Sequence, residues 1–365
     1  MISNELTYWV TFASMPTMWT KRKMEIYVAC FNKGLSIVDL FEDEALWNEL
    51  QMSEEERVLF ADAKKELPNN SFLAEDLLSQ GYDIIPVTSS DYPAILKSNL
   101  KYNSPIVVYT KGDKRLLQQD SVAIVGSRSA TAQALDFTTK VAENAVKQDY
   151  PVVSGFAKGV DRQALDAAVN VGGKSVIVLP QGICTFAGGF RQYYKPISQG
   201  KVLVLSPYHP KAPWSVAFAM ARNPIIYAMA SKIYVAQSDS TGGTWEGVID
   251  GLRKKREIYV RYPEANEKNA NMLLIQKGAI PVDAQGEIMT LSEDAFKSPE
   301  EKAKDKINEL LTPGVYLSSR EINEKLSLGL SDAQMKKLLR SMDGIAESKD
   351  GRTIKFYKSQ ELSLF

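Results

Sequence analysis

Two hydrophobic periods divide the chain. Apolar residues recur at helical spacing over Arg22–Phe31, Ile37–Leu50, Glu54–Lys65 and Ser71–Ser79, which predicts a helical segment ahead of any strand. Short runs rich in Val and Ile then take over. Residues 81–87 and 106–109 read as strands. From 121 onward, runs at 121–125, 151–154, 175–179, 202–205, 232–236 and 257–261 alternate with helical patterns at 130–147, 160–171, 214–230, 244–255 and 266–277. Continuous apolar strands alternating with helices predict an α/β fold, a doubly wound, mostly parallel sheet of Rossmann-like type covered on both faces.

The pattern changes again after a polar stretch at 282–300. Helical segments at 301–311, 318–326 and 331–342 lead into Ile345–Ser348, a turn at Lys349-Asp350-Gly351-Arg352, and Thr353–Tyr357. Three helices and a hairpin closed by Asp-Gly predict a winged helix. The expected organisation is a helical domain at 1–80, a core at 81–298, a winged helix at 299–358 and a tail at 359–365.

Composition narrows the chemistry. With 44% apolar residues the chain can build a real core. The apolar run from Trp9 to Trp19 is interrupted by Thr11, Ser14, Pro16 and Thr17, so it is too short and polar to span a bilayer. Cys30 and Cys184 lie too far apart for a zinc-ligand spacing, and a reduced, cytoplasmic protein without a metal or other cofactor is expected. His209 is the one histidine and sits in a turn-like Ser206–Pro210, which argues against a His-based triad or metal site. The formal net charge is zero but unevenly spread. Residues 121–260 hold 16 Lys/Arg against nine Asp/Glu, and residues 333–358 hold seven against three. Two basic modules are therefore expected, offset by an acidic stretch at 40–66.

Three glycine-bearing loops follow predicted strands: Gly126-Ser127-Arg128, Ser154-Gly155-Phe156-Ala157-Lys158-Gly159-Val160-Asp161, and Ser238-Asp239-Ser240-Thr241-Gly242-Gly243-Thr244. The first lacks both the G-x-G-x-x-G dinucleotide fingerprint and the nucleoside-triphosphate loop. In a doubly wound sheet all three loops share the carboxyl edge of the strands, and each opens a helix whose free N–H groups favour anions. Arg128 and Lys158 are expected on that rim, with Arg222 and Asn223 adding to it. Asp161, Ser129 and Thr244 read as helix N-caps, and Glu246 as a partner of the helix dipole. No acid for a ribose stands at the end of the second strand, so an extended polyanion suits the rim better than a small nucleotide. Phe156, Phe186, Phe190, Tyr193 and Tyr194, near Arg191 and Lys195, are candidates either for base stacking or for loop packing.

These residues resemble the DprA/Smf family of DNA-processing proteins. The likeness runs through GYDIIPVTSSDYP, SPIVVYTKGD, VAIVGSR, VVSGFAKGVDRQALDAAVNVGGKSVIVLPQGI and ARNPII, from Gly81 to Ile226. It implies an extended Rossmann-like core that binds single-stranded DNA, acts as a homodimer, loads a RecA recombinase in natural transformation or genome maintenance, and is not an enzyme. It assigns Gly126, Ser127 and Arg128 to the phosphate-binding turn, Gly155, Lys158, Gly159 and Asp161 to the second loop, and Arg222 and Asn223 to an Arg-Asn motif. The chain departs from the family at Gln163–Leu165, where a histidine is usual, at Pro224, which replaces an arginine, and over Ser240–Glu246. Gly242-Gly243-Thr244 and Glu246 also resemble part of a nucleotide phosphoribohydrolase motif, a second reading in which Arg222 holds phosphate and Glu246 assists bond cleavage.

Both ends offer partners. Ser331-Asp332 would cap a helix bearing Lys336, Lys337 and Arg340, and the wing carries Lys349, Arg352, Lys355 and Lys358. Duplex DNA and a protein partner are equally compatible with that surface. The tail Gln360-Glu361-Leu362-Ser363-Leu364-Phe365 resembles a sliding-clamp-binding peptide, with Leu362, Leu364 and Phe365 as anchors beside Gln360.

Overall fold

The computed structural model describes residues 4–264, 266–297, 299–351 and 353–359. They fall into two compact units, divided between Met289 and Thr290.

The first unit begins with six helices, from Asn4–Ser14 to Leu67–Ser79. Phe12, Phe41, Phe60 and Trp47 meet ring to ring in their core, with centroids 5.1–6.2 Å apart. Periodicity overlooks the Asn4–Ser14 helix because Tyr8, Trp9, Val10 and Phe12 are all buried, leaving no clean polar face to mark the 3.6-residue repeat. The expected helix at Ile37–Leu50 breaks at Asp43, whose carboxylate accepts from the Ala45 N–H and starts a second helix, Glu44–Glu49. Lys23 is buried, and its Nζ donates to the carbonyls of Ala13 and Met15 where the first helix ends.

The strands are β1 (Asp83–Pro86), β2 (Val107–Lys111), β3 (Val122–Val125), β4 (Val152–Ser154), β5 (Ser175–Val178), β6 (Val202–Ser206), β7 (Lys232–Val235), β8 (Ile258–Arg261) and β9 (Ile280–Val282). They make one nine-stranded sheet in the order β1-β2-β6-β5-β4-β3-β7-β8-β9. Every pairing from β6 to β9 is parallel, and β1 and β2 add antiparallel strands at one edge. The chain winds outward from β3 to β6, then returns to β7 on the other side of β3. That reversal opens a crevice beyond the carboxyl ends of β3 and β7, where such sheets bind ligands.

Helix Ala132–Lys147 shows why this arrangement is stable. Ala134, Phe137, Thr138, Val141, Ala142 and Ala145 fall on one face and are buried. Most of them share a core with Ile124, Val152 and Ala164. The helix expected at 266–277 shortens to Asn271–Gln276 because Asn271 is drawn into the sheet edge, its Nδ2 donating to the carbonyls of Ala236 and Arg261. Among the described residues, no helix is long and apolar enough to cross a membrane.

The second unit holds helices Pro299–Leu310, Ser319–Leu326 and Asp332–Arg340, with strands β10 (Leu317–Ser318), β11 (Ile345–Asp350) and β12 (Thr353–Lys358). The strands pair antiparallel in the order β10-β12-β11. Ile307, Ile322, Met335, Leu339 and Phe356 form its core. Ser318 and Ser331 each cap a helix reciprocally with the residue three further on, Glu321 and Gln334.

Candidate nucleic-acid interface

Strand β3 delivers Gly126, Ser127 and Arg128 to the crevice, and the second loop is locked beneath them. Gly159 has φ 86°, and a Cβ there would lie 2.5 Å from the Ser127 carbonyl oxygen and 2.7 Å from that of Arg128. Glycine is thus required twice over, by backbone conformation and by space. The Val160 N–H also donates to the Ser127 carbonyl at 3.3 Å. The two loops therefore move as one piece.

Gln237, just after β7, fixes that piece to the sheet. Its carbonyl accepts from the Ser127 N–H at 2.9 Å, and its side-chain oxygen accepts from the Thr131 N–H at 2.9 Å. Nothing in the glycine spacing points to Gln237, and only its place directly after a strand hints at it. Asn271 does the same for the third loop, its Oδ1 accepting from the Ser238 N–H at 2.9 Å.

Arg128 and Lys158 stand exposed on this rim. Among the described residues, no carboxylate lies within 4.0 Å of either side chain. Arg222 behaves differently from the rim position expected of it. Its side chain is 4% exposed, Nη2 donates to the Gly155 carbonyl at 2.9 Å and lies 3.8 Å from Asp161 Oδ2. A Cβ on Gly155 would fall 1.5 Å from Arg222 Nη1, so the guanidinium occupies the room this glycine leaves. Burial lowers the Arg222 pKa and raises that of Asp161, each partly offset by the other's charge. Asn223 Nδ2 donates to the Gly243 carbonyl at 3.3 Å and ties the same helix, Val216–Met229, to the third loop. Pro224 within that helix removes the N–H that would have bonded to Met220.

The expected N-caps need correction. The caps are Thr131, Gly159 and Gly242, not Ser129, Asp161 and Thr244. Asp161 lies in the first turn with its carboxylate buried, Oδ2 3.8 Å from Arg222 Nη2. Thr244 is likewise inside its helix, where its carbonyl accepts from the Tyr227 hydroxyl. Glu246 is exposed in the same first turn, the place of a dipole partner.

The aromatic candidates divide. Phe156 packs edge-on against Phe186 at 4.9 Å and Tyr193 at 5.7 Å, and Phe186 packs on Phe190 at 5.5 Å. The Arg162 guanidinium covers Phe156 at 3.7 Å. These four rings hold the second loop in place, and of the five candidates only Tyr194, 74% exposed, has a free face. Trp214, 50% exposed, lies on a hollow shared with Arg128 and Lys158. Residues Gln360, Leu362, Leu364 and Phe365, and Arg352 of the wing, lie outside the described residues.

The chain is similar to known DNA processing proteins. The DNA processing protein DprA of Bacillus subtilis is 29% identical over 211 residues, 55% of this chain and 68% of that protein. The DNA processing protein DprA of Streptococcus pneumoniae is 30% identical over 159 residues, 43% of this chain and 56% of that one. The chain thus spans between about half and two-thirds of the length of these curated relatives. The X-ray structure of DNA processing protein A from Streptococcus pneumoniae has the same fold, with a TM-score of 0.62 at 22% identity over 80% of this chain and 99% of that one. The family described as DNA recombination-mediator protein A matches residues 83–293, more than half of the 365, and the chain belongs to that family.

Proposed function

We propose that the rim binds single-stranded DNA through its phosphates and that the protein hands the strand to a RecA-type recombinase, acting as a homodimer rather than as an enzyme. The observation that carries this reading is the pair Arg128 and Lys158. Two cations without acid partners among the described residues line one hollow on loops locked by Gly159, at the edge where an α/β sheet binds its ligand. An open rim of this kind tracks a polyanion by charge, without reading sequence. Natural transformation and genome maintenance both use such a step.

The second unit reads as a winged helix. Lys336, Arg340 and Lys355 are paired with Asp332, Glu347 and Asp350 at 2.7, 3.0 and 2.9 Å. Three of its basic residues therefore add no net local charge, which favours a protein-docking role over a grip on duplex DNA. The tail sequence supports sliding-clamp binding, and equal clamp retention by the full chain and a chain lacking residues 360–365 would remove that idea.

The deciding experiment is equilibrium binding of labelled single- and double-stranded oligonucleotides over a salt series. Tighter binding of the single strand, falling steeply with salt, is expected. No binding by the wild type at low salt would end this reading.

A further inference from the structure

Residues 167–238 contain no aspartate or glutamate, yet they hold seven lysines and arginines. Part of that charge is used inside the fold: Arg222 is buried, and Lys174 pairs with Asp149 at 2.9 Å. Arg191 and Lys195 are exposed, and neither is ion-paired among the described residues. Between them in sequence stands Tyr194, whose ring is also exposed.

These three residues ride on two short helices, Ala187–Gln192 and Tyr194–Ser198. The inner face of that pair is clamped to the second loop. Phe186 and Tyr193 pack on Phe156, and Phe190 packs on Phe186. The Tyr193 hydroxyl donates to Asp166 on helix Val160–Asn170, and Arg162 Nη1 of the same helix donates to Gln192 Oε1 at 2.9 Å. Phe156 itself has φ 63°, a conformation uncommon for a bulky side chain, and Lys158 of the rim follows two residues later. The rim and the patch are therefore carried by one packed body. Adjacent tyrosines have opposite fates in it: Tyr193 anchors the helices, and Tyr194 faces water.

An exposed ring flanked by two cations matches what a single strand offers, a base face to stack on and a phosphate on either side of it. A duplex keeps its base faces stacked inside and offers phosphates alone. We infer that Arg191, Tyr194 and Lys195 form a second contact for a single strand, in which Tyr194 stacks one base and the two cations hold the phosphates beside it. This rests on the DNA reading above, with the Arg128 and Lys158 rim as the first contact. Because the helices are already docked, little freedom is lost when a base stacks on Tyr194. Every base has such a face, so the contact adds affinity without reading sequence.

The test is titration of the full chain with oligothymidylates of about 4 to about 16 nucleotides, the range of site sizes for single strands on stacking grooves. The variants are Tyr194→Ala, Tyr194→Phe, and Arg191→Ala with Lys195→Ala. Wild-type affinity should climb with length until both contacts are covered. Tyr194→Ala should bind long strands at least about fivefold more weakly, the loss of one stacked base, with an unchanged salt slope. It should bind the shortest strand as the wild type does, which also shows that the variant is folded. Tyr194→Phe keeps the ring and should keep long-strand affinity. The double variant should flatten the long-strand salt slope by about 1.4, or 0.7 for each phosphate released. Wild-type affinity at every length in Tyr194→Ala and in the double variant overturns this inference alone and leaves the patch to an acidic protein. An equal loss for short and long strands in Tyr194→Ala also overturns it, because the rim would then be what had changed. Failure of the wild type to bind any strand overturns it together with the DNA reading.

Discussion

The core and the C-terminal unit both carry a surplus of lysine and arginine in sequence, and folding treats the two surpluses differently. On the core rim, Arg128 and Lys158 stand without acid partners among the described residues, on loops that close glycine packing holds rigid. In the C-terminal unit, Lys336, Arg340 and Lys355 each face a carboxylate a few residues away. A phosphate chain responds to net local charge, because it is the release of its counterions that drives binding. A basic count therefore locates a site only when the fold keeps acids away from it.

The comparison breaks most directly at the rim. Replacing Arg128 and Lys158 together by alanine should weaken single-strand binding by at least about tenfold, since hydrogen bonds to charged groups contribute roughly 1.5–3 kcal/mol each. The log–log salt slope should flatten by about 0.7 for each phosphate that is no longer neutralised. A double variant with wild-type affinity and slope would show that the free cations are not the interface.

Gly155→Ala probes the pillar below. The new Cβ, 1.5 Å from Arg222 Nη1, must displace the guanidinium from Asp161. Urea unfolding should show a loss of roughly 1–3 kcal/mol, the usual cost of forced overpacking. An unchanged midpoint would mean that Arg222 can leave freely. Gln237→Leu strands the Thr131 N–H, with an expected loss of about 1 kcal/mol. Its single-strand affinity should fall several-fold as the first loop loosens, and titration of the variant checks this.

The smallest effects belong to the C-terminal unit. Lys336→Ala or Arg340→Ala removes one exposed ion pair, worth about 0–1 kcal/mol. Either should leave single-strand affinity within about twofold of wild type in the same titration, because a neutral pair adds little to counterion release. A loss as large as that of the rim variant would erase the distinction between the two regions.

Much of this protein is legible in its sequence. The runs that become β3 to β8 are short, apolar and separated by amphipathic helices, so periodicity alone places the parallel sheet and brings three glycine loops to one edge. Local chemistry likewise marks Ser331 as a cap and Arg128 and Lys158 as rim residues. Periodicity fails where burial surrounds an element, as in Asn4–Ser14, and where a side chain ends a helix early or delays its start, as at Asp43 and Asn271. Tertiary structure alone decided the rest. Arg222 turned inward because Gly155 leaves a space that only a residue 67 positions away fills. Phe156 and its neighbours turned to one another because burying rings together removes more apolar surface from water than exposing them singly. Gln237 gained its role by lying beside β3, an adjacency set by strand order. The sequence by itself determines which groups are available and their local spacing. Which cation stays free and which is buried depends on packing between distant segments that exists only once the sheet has closed.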